Sequence, residues 1–119
     1  MQINTHNKLN YVEFPSKDIE ASKLFFQTAF QWTFEDYGPD YASFSDQGLD
    51  GGFYRADLEC NSKKGGALLI FYSNEIEKTQ ADVENAGGVI VQELFDFPGG
   101  RRFHFTEPSG NEFAVWTDI

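Results

Sequence analysis

Residues 9–30 read LNYVEFPSKDIEASKLFFQTAF, and residues 66–87 read GALLIFYSNEIEKTQADVENAG. The second stretch lies 57 positions after the first. In each, an apolar run of strand length leads through a polar turn, SKDIE or SNEIE, into an amphipathic stretch. Self-similarity at a fixed offset marks one supersecondary unit used twice. LNYVEF and ALLIFY have the length and composition of strands. Asp18 or Ser16 is placed to cap a helix running to Phe30, with Ile19, Ser22, Phe26, Ala29 and Phe30 along one face. Ser73 or Asn74 is placed to cap a second helix. It ends at Asn85-Ala86-Gly87-Gly88, where glycine suits a left-handed C-cap.

The remainder of each copy matches as well, once one residue is skipped. Phe44-Ser45-Asp46-Gln47-Gly48 echoes Phe105-Thr106-Glu107-Pro108-Ser109-Gly110, and LDGGFY (49–54) lies against NEFAVW (111–116). Three shorter strands follow each helix, near 33–37, 40–45 and 51–56, then near 89–95, 101–106 and 112–117. Asp46-Gln47-Gly48 and Pro108-Ser109-Gly110-Asn111 supply turns. Each copy reads as βαβββ, and the fold class is α+β. One domain spans 1–119, with modules at 8–56 and 67–118 and a polar linker at 57–66.

The 119 residues suit one domain, and 13 phenylalanines and two tryptophans provide for an apolar core. No apolar run reaches the roughly 18 residues that cross a membrane. The N-terminal residues MQINTHNKLNYV lack the basic start and apolar stretch of a secretory signal, so a cytoplasmic protein is expected. Cys60, the single cysteine, cannot form an intrachain disulfide. A net charge of −10 disfavours nucleic acid as a partner.

Strand alternation sorts the side chains. Val12 and Phe14 belong beneath the first helix, sending Tyr11, Glu13 and Pro15 to the opposite face. Leu69, Phe71, Phe103, Phe105, Phe113 and Val115 belong beneath the second. Leu68, Ile70, Tyr72, Arg102, His104, Glu112, Ala114 and Trp116 then face away, as do Tyr41, Ser43, Gly52 and Tyr54 in the first copy. A curved sheet lined this way makes a ligand cleft with apolar walls and few polar groups. In FPGGRRFHF (97–105) the glycine pair turns the chain at the cleft rim. The following strand delivers Arg102 and His104 inward and Arg101 outward; a bulge at Gly99-Gly100 would exchange the arginines. Arg102 suits an anionic ligand group. Glu13 and His104 suit acid–base chemistry, or form an ion cluster with Arg102 that bridges strands. Tyr11, Tyr41, Tyr54, Tyr72 and Trp116, with Ser43 and Ile70, suit a flat ligand. Pro98-Gly99-Gly100 lacks the spacing and lysine of a phosphate loop.

The paired βαβββ units, the opening NYVEFPSKDIEASKLFF and the ending FHFTEPSGNEFAVW resemble the glyoxalase/bleomycin resistance protein/dioxygenase group, the vicinal oxygen chelate superfamily. The resemblance covers roughly residues 8–118. Its most specific part is the turn and strand Glu107-Pro108-Ser109-Gly110-Asn111-Glu112-Phe113. It implies an open, incomplete barrel around a cleft, and a homodimer that pairs modules across its interface. It also implies a divalent ion held by His, Gln and Glu at four equivalent positions. Here those positions carry Tyr11, Gly52, Leu68 and Ala114. Leucine, glycine and alanine have no donor atom, and a neutral tyrosine is a poor ligand for such an ion. No metal or other cofactor is therefore expected, and neither glyoxalase I nor extradiol dioxygenase chemistry. Three functions stay open: a module that binds a small organic ligand, a metal-independent lyase or isomerase working through Glu13 and His104, and a non-catalytic dimeric interaction subunit.

Overall fold

The computed structural model describes residues 3–119. The elements run β1 (Tyr11–Ser16), α1 (Ile19–Phe30), β2 (Phe34–Asp36), β3 (Tyr41–Phe44), β4 (Asp50–Arg55), a 3-10 turn (Ser62–Lys64), β5 (Leu69–Tyr72), α2 (Ile76–Asn85), β6 (Val89–Phe97), β7 (Gly100–Thr106) and β8 (Glu112–Thr117). They form two four-stranded sheets, ordered β1-β4-β3-β2 and β5-β8-β7-β6. In each, the first strand pairs in parallel with the fourth and the remaining neighbours are antiparallel. This is the repeated βαβββ expected. Gly52 lies opposite Ser43, and Ala114 lies opposite His104, so the two copies superpose in register as aligned.

Local chemistry sets the helix ends. Asp18, in an extended conformation, accepts from the Ala21 N–H and caps α1. Gln31 closes α1 in the left-handed region at φ 59°, returning its N–H to the Gln27 carbonyl. The N-cap of α2 is Glu75 rather than Ser73 or Asn74; the Ser73 hydroxyl instead accepts from the Glu75 N–H and bonds Thr79. Gly87, at φ 101°, turns the chain away after α2.

The helix-facing sides of both sheets share one core. Phe14 lies 5.1 Å from Phe113, Phe26 lies 5.3 Å from Phe113, and Phe30 stacks on Phe71 at 4.3 Å. Phe14, Phe103, Phe105, Phe113 and Val115 are buried as alternation requires. Pro15 and Phe25 depart from this for one reason, the packing of one module on the other. Pro15, expected on the open face, is buried, because its carbonyl accepts from Asn111 Nδ2 (2.7 Å) in the second module. Phe25 joins the buried face of α1, where it meets Phe105 at 5.7 Å; Lys23 is buried within its own module, between Glu20 and Asp36.

The turn that closes the β7–β8 hairpin also joins the modules. Glu107 is buried and accepts from Ser22 Oγ (2.9 Å), the Ser109 N–H (2.9 Å) and Asn111 Nδ2 (2.7 Å). Ser16 Oγ bonds both Ser22 Oγ and Ser109 Oγ at 2.9 Å. Asn111 Oδ1 accepts from the Cys60 N–H (2.9 Å), which fixes the linker. Burial pushes the Glu107 carboxyl above its ordinary range, and its donors, first the Ser109 N–H, only partly offset this. Among the described residues no helix is long and apolar enough to cross a membrane.

Candidate functional site

The open face of the second sheet carries the densest chemistry. On β7, Arg101 points to the helix side and donates to Glu77 of α2 (2.8 Å). Arg102 points the other way, its guanidinium carbon 5.4 Å from the Phe95 ring centroid and 5.7 Å from that of Phe97. The register of β6 slips between Ile90 and Gln92 and again between Gln92 and Phe95. The irregularity therefore lies in β6, not at Gly99-Gly100, and Arg102 remains the arginine on this face. Gly100 has its own role: its backbone lies so close to the Thr117 carbonyl that a Cβ would overlap it.

His104 follows Arg102 on the same face. Its Nδ1 lies 2.9 Å from Glu112 Oε2. The other oxygen of Glu112 accepts from the Ser62 N–H (2.8 Å) and Ser62 Oγ (2.7 Å). Ser62 opens the 3-10 turn, which Asn61 caps by accepting from the Lys64 N–H. Burial raises the Glu112 carboxyl, but the Ser62 and His104 contacts outweigh it and hold the group below the usual carboxylate range. An ionised carboxylate only accepts, so His104 Nδ1 donates to it, and in the neutral ring the lone pair then sits on Nε2. His104 Nε2 and Arg102 Nε are both buried without a hydrogen-bond partner. The residues that carry them, Arg102 and His104, line an open depression of about 560 Å³ together with Lys63, Phe95, Thr106 and Glu112.

The first sheet is built differently. The Tyr41 hydroxyl donates to Glu13 Oε2 (2.9 Å) and lies 2.6 Å from the Tyr11 hydroxyl. Its phenol covers Gly52 so closely that a Cβ there would overlap ring and hydroxyl. Desolvation, then the bonds to Tyr11 and Glu13, push the Tyr41 hydroxyl far above its ordinary range, so it stays a neutral donor. Tyr11, Tyr41 and Ser43 line a separate depression of about 490 Å³ with Glu35 and Tyr37. Tyr54 pairs with Tyr41 across the strands and is exposed.

The anticipated single cleft is thus divided within the chain. Glu13 and His104 stand on different sheets with different partners and do not form a pair; the carboxylate beside His104 belongs to Glu112. For the same reason no Glu13–Arg102–His104 cluster exists. Ile70 borders an apolar gap of about 290 Å³ between the modules, together with Val12, Trp32 and Phe71. Tyr72 donates to Asp118 (2.6 Å) and meets Trp116 edge-on at 5.3 Å, and Trp116 lies 6.3 Å from Phe97 beside Arg102. Ser62, Phe95 and Phe97 escaped the reading of the sequence, which placed Glu112 on the face of His104 without pairing the two. A signal for Glu112 was present: His104 and Glu112 flank the 107–110 turn, as residues that approach diagonally across a hairpin must.

The four positions where the resemblance implies an ion were tested against their surroundings. In the first sheet the Tyr41 phenol fills the space over Gly52. In the second, Ala114 is fully buried opposite His104, and Leu68 has no donor. Among the described residues no three His, Cys, Asp or Glu side chains gather as a metal site. The residues present do not fit the ion.

Known proteins agree with the architecture. A crystal structure of a glyoxalase-related enzyme from Fulvimarina pelagi superposes with a TM-score of 0.78 at 16% identity, covering 93% of this chain and 88% of that one. The fosfomycin resistance protein FosX from Listeria monocytogenes superposes with a TM-score of 0.77 at 18% identity, covering 97% and 96%. At these identities the likeness is one of fold. The anthracycline biosynthesis protein DauV of Streptomyces sp. (strain C5) is 31% identical over 85% of this chain, which spans only 43% of that protein's length. The model of the glyoxalase/bleomycin resistance protein/dioxygenase superfamily matches residues 8–115, and the chain belongs to that family.

Proposed function

We propose that this chain binds a small, flat, oxygen-rich or anionic organic molecule on the open face of its second sheet, without a divalent metal. The observation that carries the reading is the pair of buried, unpartnered polar atoms, Arg102 Nε and His104 Nε2, on two residues that line a depression of about 560 Å³. A buried polar atom without a partner costs about 1–3 kcal/mol, and a ligand that bonds both atoms removes that cost. Phe95, Phe97 and Trp116 offer ring surface beside them. The volume lies within the range of small-molecule sites. The relative in anthracycline biosynthesis supports a fused-ring aromatic class of ligand.

The working unit in this reading is a homodimer. Tyr11, Tyr54, Ile70, Tyr72 and Val91 expose apolar surface on the open faces and strand edges. The first sheet's face bears Glu13 and Glu35, and the second bears Arg102, which a second copy's carboxylates could meet. Native mass spectrometry of protein purified without added metal tests the whole proposal. The expected species is a dimer free of divalent ion that takes up anthraquinone-2-carboxylate. A stoichiometric divalent ion required for that uptake, or no uptake, overturns it.

A further inference from the structure

The two unpartnered atoms of the second sheet are opposite in kind. Arg102 Nε carries a hydrogen and can only donate. In the neutral ring, whose single proton Nδ1 donates to Glu112, His104 Nε2 carries a lone pair and accepts. They come from positions i and i+2 of one strand, whose Cα atoms stand about 7 Å apart. A plain carboxylate satisfies the arginine and leaves the histidine facing a second acceptor. A molecule with an acidic O–H beside a carbonyl satisfies both.

From this we infer that the site takes hydroxy-carbonyl compounds, meaning phenols or enols next to a ketone or quinone oxygen, and that His104 Nε2 removes the hydroxyl proton. The inference rests on the binding site proposed above and adds a reaction to it. The O–H bond breaks, an N–H bond forms at Nε2, and the electron pair stays on oxygen. The resulting oxyanion and its carbonyl face the Arg102 guanidinium, while the imidazolium faces the Glu112 carboxylate. No oxidant or metal enters the balance. The groups that act on His104 are Glu112 from β8, Arg102 from β7, and Glu59 and Lys63 from the linker that borders the same depression. Ser62 serves as a positioning residue, since its two bonds hold Glu112 toward Nδ1.

Alizarin, a flat hydroxyquinone whose colour reports its ionisation, is the probe, with its dimethyl ether and anthraquinone-2-carboxylate as comparisons. Each is titrated into the intact protein in EDTA, and the spectrum of bound alizarin is followed with pH. The expected result is at least tenfold tighter binding of alizarin than of its dimethyl ether, with ionisation of the bound dye shifted at least one pH unit below that of the free dye. At saturating dye, His104→Gln should abolish the shift. Serine 62 gives a second handle, because Ser62→Ala should shrink the shift without removing the dye. Bound alizarin that ionises as free alizarin does, or a shift unchanged in His104→Gln, overturns the proton transfer. If anthraquinone-2-carboxylate alone binds, the binding site stands and this inference falls; if nothing binds, both fall.

Discussion

Replacing Glu112 by glutamine should move the His104 proton from Nδ1 to Nε2. In the native protein the carboxylate accepts three hydrogen bonds, from the Ser62 N–H, Ser62 Oγ and His104 Nδ1, at 2.7–2.9 Å. Glutamine can keep its oxygen toward Ser62 but then presents an NH2 group to His104. Nδ1 must accept, and the ring proton goes to Nε2. Each charge-assisted bond turned neutral loses about 1 kcal/mol, so three lose about 3 kcal/mol. Relief from burying a charge offsets part of this, leaving about 1–2 kcal/mol of destabilisation. For a domain of this size that is a fall of roughly 4–8 °C in Tm. Two-bond 1H–15N correlation spectra of the imidazoles report which ring nitrogen is protonated, with the exposed His6 as an internal reference. A native spectrum with Nε2 protonated and Nδ1 bare, or a spectrum indifferent to Glu112→Gln, refutes the reasoning.

Asn111→Ala removes bonds to Pro15, Glu107 and Cys60 at once, so urea unfolding followed by tryptophan fluorescence should show a loss of about 3–5 kcal/mol; a loss under 1 kcal/mol would deny the turn its role in joining the modules. Glu112 has a depressed pKa, so the stability it contributes is present above its unfolded value near 4.5 and is lost as pH falls through the folded value. Glu107 has the opposite sign: its contribution is complete below that value and is lost as pH rises through the raised folded pKa. Urea midpoints measured across this acid range should accordingly fall less steeply below 4.5 in Glu112→Gln than in the native protein; parallel curves contradict the assignment. Tyr41→Phe cuts the link between Tyr11 and Glu13 on an open face and should cost only about 1 kcal/mol, leaving anthraquinone-2-carboxylate affinity unchanged; a large loss of that affinity would place the ligand on the first sheet.

The fold was legible because the same pattern occurs twice. A period-2 apolar run, a capped amphipathic helix and turn residues at matching offsets leave few alternatives to paired βαβββ units. Alternation also placed Phe103 and Phe105 inside and Arg102 and His104 outside, since a one-residue slip would have exposed both phenylalanines. What failed was the step from facing the same way to touching. Glu13 and His104 both face away from helices, but each sheet has its own open face. Packing of one module on the other hid Pro15, and no local property of Pro15 announces that contact. Ser62 lay in a stretch read as a polar linker, where only the 3-10 turn capped by Asn61 brings it to Glu112. The Pro98-Gly99 turn sets Phe97 opposite Gly100 and Phe95 opposite Arg102, while the slips farther along β6, between Ile90 and Phe95, leave no mark in the residue pattern.

The most direct measurement is chemical-shift mapping by 1H–15N correlation of the labelled protein with anthraquinone-2-carboxylate in EDTA. Metal-free binding on the second sheet predicts perturbations gathered on Ser62, Phe95, Arg102, His104, Thr106 and Glu112, and at least tenfold weaker binding in Arg102→Ala. Perturbations centred on Tyr11, Tyr41 and Gly52, or binding that appears only when a divalent ion is restored, would contradict it.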